Sequence, residues 1–291
     1  MVLQFLVNGI CAGALFGLAA LGLSLIYNTT KVFHFAHGAV YTSAAYLLFF
    51  FLTKTSLGVI PGVIVSLTLA MLLGVLIDQV FYLPLAEKSA GGTAAILTSL
   101  GIYTIVINII ALLFGNETKI LRPGIEKTFE FGSIIVTRIQ VMQVVAFLAL
   151  LLLTALLLKF SRYGQLIRAV SDNGKLAEAL GLETKKARIV AFAYGSGLAA
   201  VAACLSALDV GLDPYIGMPV TLIAAVAMIF GGIRIFAAAA IGGVIIGVIQ
   251  NLVVWQTSSK WQAAVTFVIL LVVLIFRPQG LLTPKKRLEE S

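Results

Sequence analysis

The sequence predicts an all-α, polytopic transmembrane helical bundle of about eight to nine spans, with one cytoplasmic loop that has helical structure of its own. Three observations lead there. The 291 residues are 60% hydrophobic and only 11% charged, against about 25% charged in soluble globular proteins, and the mean hydropathy is +1.09. The apolar residues fall in runs of helical length, without the short alternating segments of a membrane barrel. A single polar island, residues 161–188, interrupts the apolar runs and carries or borders Lys159, Arg162, Arg168, Lys175, Lys185, Lys186 and Arg188.

Taken in order, the apolar runs are 5–26, 32–53, 57–81, 94–115 and 139–160 before the island, and 187–209, 219–234, 237–254 and 262–276 after it. A 22-residue helix rises about 33 Å, enough for a hydrocarbon core of about 30 Å. The runs 219–234 and 237–254 are short, and are expected to tilt or to be partly re-entrant. No Lys or Arg precedes the first run, which reads as a span and not as a cleaved signal. Residues 27–38 form either a simple turn or a broken helix.

Cationic loops of this length stay on the cytoplasmic side, so the island orients the chain. Counting outward from it, loop 82–93, the turn at Arg234 and the tail 277–291 are inside. Loop 255–261, flanked by Trp255 and Trp261, is outside, as are loop 116–138, with Glu117, Glu126 and Glu130, and the N-terminus. The net charge of +8 comes largely from the island and from Arg277, Lys285, Lys286 and Arg287. It therefore reports topology, and nucleic-acid binding is not expected.

Within the island, Gly164 to Ser171 suits a short amphipathic helix with Leu166, Ile167 and Val170 as its apolar residues. Asp172 or Asn173 is placed to cap a second helix, Lys175 to Leu180, that Gly181 stops. Thr184 is a fitting cap for the apolar helix that follows. Leu176, Ala177 and Leu180 share one side of the second helix. The segment is either a solvated loop or a docking element for a partner's groove.

Glycines set the packing. Gly9, Gly13 and Gly17 give the first run a flat face for close helix approach, and Gly58 with Gly62 and Gly243 with Gly247 repeat the spacing. Contact within the bundle is the expected use, with a subunit interface as the alternative. Cys11 and Cys204 sit in apolar runs as small hydrophobes, with no disulfide expected.

Intramembrane chemistry is sparse. His34 and His37 stand at i, i+3 spacing on a helix, without the Cys, Asp or Glu that would complete a metal site. A packed or hydrogen-bonded pair is the expectation. Asp78 is expected to snorkel or pair locally. Asn8, Asn28 and Asn108 are polar candidates beside a path or between helices. Ser196, in YGSGL, lacks the hydrolase elbow pattern, and no Gly-rich phosphate loop is present. The chain is therefore not expected to be an enzyme, and any ATP hydrolysis belongs to other subunits.

The opening, LVNGICAGALFGLAALGLSLIYNTTKVFHFAHGA, resembles the start of permeases from bacterial ATP-binding-cassette importers for branched-chain amino acids. Gly22, Leu23, Leu25, Ile26 and Tyr27 match the end of that family's first span. Phe35, Ala36, His37 and Gly38 match its N-F-A-H-G-like motif, with His34 where Asn is usual. Gly164, Arg168, Ala169, Ala177, Leu180 and Gly181 fit its cytoplasmic loop. FGGIRIFAAAAIGGVIIGVIQNL is similar to a third motif, with Arg234, Ile235 and Ala238 replacing a Gly, a Ser and a Gly, and RPQGLL resembles the usual ending. The matches are spread over essentially the whole chain.

The resemblance implies one permease domain over residues 1–291, in the bacterial cytoplasmic (inner) membrane. Its implied partners are a homologous permease, two cytoplasmic ATPase subunits that use ATP, and an extracytoplasmic solute-binding protein; no cofactor is bound by this chain itself. Arg168, Ala169, Leu176, Ala177, Glu178, Leu180 and Gly181 are the implied ATPase-coupling residues. Asn28, His34, Phe35 and His37 are the path residues expected from it. The solute would be leucine, isoleucine or valine, with urea or short amides as the alternative within the same permease type. A secondary transporter would need a midplane carboxylate or broken helices for its driving ion, and a passive channel would leave the helical island unused. The orientation is testable: cysteines at Lys175 and Lys286 should resist impermeant thiol reagents in intact cells, whereas one at Ser258 should label. Labelling at Lys175 from outside would overturn the topology.

Overall fold

The computed structural model describes all residues except 56–57, 89, 122–126, 133, 278 and 283–291. Glu126 and the basic tail residues Lys285, Lys286 and Arg287 lie outside the described residues. The helices are α1 (Val2–Thr30), α2 (His37–Lys54), α3 (Val59–Ile77), α4 (Leu83–Glu87), α5 (Gly91–Phe114), α6 (Arg138–Phe160), α7 (Arg162–Ala179), α8 (Thr184–Val210), α9 (Gly217–Gly231), α10 (Phe236–Gln256) and α11 (Gln262–Phe276). A π-helical turn, Asp78–Tyr82, joins α3 to α4, and strands β1 (Thr128–Phe131) and β2 (Ile134–Thr137) form an antiparallel hairpin before α6.

Among the described residues, seven helical runs are long and apolar enough to cross a membrane: Val2–Thr30, Val59–Glu87, Gly91–Phe114, Arg138–Phe160, Thr184–Val210, Phe236–Gln256 and Ser259–Phe276. Each of the nine runs expected from the sequence is a helix. The other two are α2, which begins only at His37, and α9, which has 15 residues.

The two ends of the bundle are distinct. At one end Gln4 holds the hairpin, its Nε2 donating to Ile135 O at 2.8 Å while its Oε1 accepts from Ile135 N at 2.8 Å. At the other, Lys31 Nζ, just past the end of α1, donates to Ser171 O of α7 at 3.2 Å. The first residues of the chain therefore lie at the opposite end from the polar island, as the span count requires.

Glycine governs the central contact. α1 and α10 run antiparallel, with Gly9, Gly13 and Gly17 against Val248, Val244 and Ala240. A β-carbon at Gly13 would stand 2.7 Å from Val244 Cα, and one at Gly17 2.7 Å from Ala240 O. Gly243 and Gly247 face Gly17 and Gly13 in return. The glycine face is thus internal packing. The backbones touch, and α1 becomes the buried axis of the bundle. Exposed apolar stripes lie elsewhere: the outer side of α6 carries Val141, Val145, Leu148, Leu152 and Leu156. Cys11 and Cys204 are free and buried.

Substitution should separate the two kinds of glycine. Gly13→Ala forces the α1 and α10 backbones apart and should cost about 1–3 kcal/mol. Gly101→Ala on α5, where nothing lies within 4 Å, should be neutral or stabilising by up to about 1 kcal/mol. Thermal unfolding in detergent checks the contrast.

Candidate functional site

The segment between α1 and α2 is not a simple turn. α1 ends in Lys31, a non-glycine residue at φ 57°, and residues 31–36 turn back into the bundle without helical structure. Irregular backbone at membrane depth survives only where its polar groups are satisfied by protein. Ser99 of α5 meets that demand: its Oγ accepts from Ala36 N at 2.8 Å and from Tyr82 Oη at 2.8 Å. Tyr82 Oη also lies 2.9 Å from His34 Nδ1. The His34 ring packs edge-on to Phe192 of α8 at 5.2 Å and to His37 at 5.6 Å. The histidines are a packed pair, as expected, but they do not share a helix, because α2 begins only at His37.

Residues expected beside a solute path are therefore inside the protein. Asn28, His34 and His37 are at most 3% exposed, and Phe35 is half-buried. Asn28 Nδ2 donates to Ser24 O at 2.9 Å and to Ile233 O at 2.6 Å, tying α1 to the loop after α9. His37 has no partner in hydrogen-bond geometry at either ring nitrogen. Its neighbour Gly38 packs against Gly217 at the start of α9.

Polar residues cluster on the exposed side of α5, and Thr68 of α3 is exposed as well. Thr93, Gly101, Thr104 and Asn108 are exposed and share one stripe with Leu97 and Leu112. Thr104 Oγ1 donates to Leu100 O at 2.9 Å and Asn108 Nδ2 to Thr104 O at 2.7 Å, both within the helix, so no other helix covers them. The exposed stripe of α6, by contrast, is wholly apolar. Asn108 was legible as a polar candidate in the sequence. Its direction was not, although the spacing of 101, 104 and 108 carries the signal.

The second candidate region is α7. Ser161 Oγ accepts from Gly164 N at 2.9 Å and starts the helix. At Asn173 the backbone leaves helical geometry (φ −151°, ψ 95°), and its Oδ1 accepts from Leu176 N at 3.1 Å. Two short helices with Asp172 or Asn173 capping the second were expected, and Asn173 is the cap. Gly181 at φ 78° closes the second: Leu182 N reaches Ala177 O at 3.0 Å and Gly181 N reaches Glu178 O at 2.9 Å. Thr184 does not cap the next helix; it is the first residue of α8, and Glu183 holds the cap position.

Burial divides the expected coupling residues. Leu176 and Leu180 are 55% and 71% exposed, and Arg168, Glu178 and Gly181 are also exposed. Ala169 is half-buried, and Ala177, 3% exposed, faces the bundle beside Ile167 and Val170. The outward pair is thus Leu176 and Leu180, without Ala177. A hollow of about 740 Å³ between α7 and the start of α8 is lined by Tyr163, Leu166, Leu182 and Lys186, among others.

One ion pair fastens this region to the core. Arg188 of α8 donates to both carboxylate oxygens of Asp78, Nη2 to Oδ1 and Nε to Oδ2 at 3.3 Å, and Gln79 Nε2 adds a bond at 3.0 Å. Asp78 is fully buried and opens the π-helical turn. The local pairing expected of Asp78 is made across 110 residues of sequence. Asp78→Asn leaves Arg188 without its counter-charge and should cost about 3–5 kcal/mol. Asp78→Leu with Arg188→Met should recover much of that loss. Thermal unfolding of single and double variants measures the coupling, and additive losses would show that the pair contributes nothing.

The family described as branched-chain amino acid transport system / permease component matches residues 5–274. The high-affinity branched-chain amino acid transport system permease protein LivH of Salmonella typhimurium is 31% identical, over 96% of this chain and 95% of that protein. The corresponding permease protein BraD of Pseudomonas aeruginosa is 28% identical over the same shares. Among solved structures, PsaBC from Streptococcus pneumoniae in complex with Fab superposes with a TM-score of 0.55 at 12% identity, over 95% of this chain and 93% of that one, a likeness of fold alone. With a match running from the first helix to the last, and with α7 and the 31–36 segment built from the residues that carry the resemblance, the chain belongs to the family of branched-chain amino acid transport system permease components.

Proposed function

We propose that the chain is the membrane permease subunit of an ATP-binding-cassette importer that moves branched-chain amino acids inward across the bacterial inner membrane. It works with a homologous permease, two ATPase subunits that use ATP, and an extracytoplasmic binding protein. The observation that carries this reading is the family match over residues 5–274, joined to an amphipathic element, α7, that leaves Leu176 and Leu180 uncovered at one end of the bundle. On this reading the α7 end is cytoplasmic, and all nine membrane-associated helices belong to one permease domain. Leu176 and Leu180 enter an ATPase groove, Arg168 and Glu178 flank them, and Ala169, Ala177 and Gly181 hold the element in shape.

The solute path runs along the exposed stripe of α5. Polar side chains facing lipid carry a desolvation cost that a water-filled path removes, and Thr104 and Asn108 offer uncharged hydrogen-bonding groups that do not trap a zwitterion. His34 and Phe35 belong to the 31–36 segment behind this stripe, since Ser99 on the inner side of α5 is bonded to that segment; His37 follows it, and Asn28 holds α1 to the loop after α9.

Uptake into proteoliposomes holding the complete transporter tests both parts. ATP-dependent leucine uptake is expected, with urea and short amides not carried. Transport of urea alone would remove the amino-acid assignment, and uptake driven by an ion gradient without ATP would remove the importer assignment. Leu180→Arg should abolish uptake while the chain stays inserted, with ATPase subunits lost on purification. Asn108→Leu should slow uptake several-fold and leave the binding protein's affinity unchanged.

A further inference from the structure

A cavity of about 340 Å³ opens at the α7 end of the bundle, between α1, α6, α7 and the start of α10. Its mouth and its interior differ in chemistry. At the mouth are Arg168 of α7 and Arg234 of the turn before α10, both exposed and neither in an ion pair among the described residues. Lys31, bonded to Ser171 O at 3.2 Å, adds a third positive charge beside the mouth. Asp172 is the one acidic residue in the lining, so the mouth keeps a positive balance. Ser171 also lines the cavity; its hydroxyl oxygen is buried and has no hydrogen-bond partner.

The interior is apolar. Leu158 and Phe236 lie just inside, and Leu21 and Leu151 form the far wall. Each of the last two is nine residues from the end of its helix, about 14 Å along the axis. The one polar group there, Thr154, is already engaged with Leu150 O and Tyr194. The side toward the surrounding membrane is open, with Ala155 and Ala237 exposed. A free anion would satisfy the mouth and leave the apolar slot empty; an apolar molecule would fill the slot and leave the cations unused. An amphiphile satisfies both.

We infer that this cavity binds one anionic glycerophospholipid, its phosphate between Arg168 and Arg234 and one acyl chain along Leu158, Phe236 and Leu151. Basic pockets between membrane helices recognise phospholipid headgroups in this way. Because Arg168, Ser171 and Asp172 sit on the first half of α7, the lipid would join α7 to α6 and α10 through its own body.

The full chain, purified, delipidated and titrated with phosphatidylglycerol or phosphatidylcholine, tests this by native mass spectrometry. One phosphatidylglycerol should be retained in preference to phosphatidylcholine. Arg234→Gln should weaken that retention roughly fivefold, about the worth of one cation near a charged membrane surface. Arg234→Lys should keep most of it, and Leu151→Trp should remove it by filling the slot with both arginines in place. Arg277→Gln, an exposed cation at the same end of the bundle, should change nothing. Equal retention of both lipids, an equal loss with Arg277→Gln, or full displacement by millimolar inorganic phosphate would each overturn the assignment, the last by showing a free-phosphate site.

Discussion

The backbone contact between α1 and α10 is the constraint on which the rest of the bundle depends. Helices in lipid gain nothing from hiding apolar side chains from one another, so close approach and dispersion must hold them. Glycine on both facing surfaces permits that approach, and it puts α1 at the centre, with 83% of its most apolar stretch buried. A helix enclosed on all sides has no lipid-facing stripe to keep apolar. That is why α1 can carry Ser24 and Asn28 within the bundle, each bonded to a neighbour. Its end can then deliver the irregular 31–36 segment into protein instead of hydrocarbon.

That segment explains an otherwise odd distribution of polar residues. Ser99 of α5, Tyr82 of the π-turn and His34 of the irregular segment are buried together, Ser99 bonded to Tyr82 and to the Ala36 amide and Tyr82 beside His34 Nδ1. The π-helical turn matters here. One wider turn between Asp78 and Tyr82 lets Asp78 meet Arg188 while Tyr82 meets His34 and Ser99. π-Turns inside helices frequently mark such functional positions.

Much of this was legible in the sequence, and the exceptions share a cause. The apolar helices, the glycine face and the capped helix pair of the island follow from local rules: length, i, i+4 spacing, a polar cap, a glycine in the left-handed region. Thr184 misleads because it satisfies the same local rule one residue too late. The burial of His34, His37 and Ala177 is not local. Leu176, Ala177 and Leu180 all sit on the apolar side of a short amphipathic helix, and local spacing does not say which of them the bundle covers. The Asp78–Arg188 pair spans 110 residues, and nothing in a single sequence joins those positions. The hairpin before α6 is a third omission, since β1 and β2 are four residues each and carry no lasting alternation.

These separate contacts form one continuous physical run. α7 closes through Gly181 directly into α8, and four residues along α8 Arg188 holds Asp78. Asp78 begins the turn that ends at Tyr82, and Tyr82 is bonded to Ser99 on the inner side of α5, whose outer side bears Thr104 and Asn108. Lys185 adds a second, exposed link to Glu87 at 2.8 Å. A displacement of α8 relative to α3 must therefore either separate a buried, two-point ion pair or carry the π-turn and Tyr82 with it. Separating the pair leaves a charge stranded in a water-free setting, at a cost of several kcal/mol. Moving Tyr82 only asks Ser99 and α5 to follow. The cheaper response is concerted, so force applied to Leu176 and Leu180 would be felt at α5 by way of rigid neighbours, without any flexible linker to absorb it.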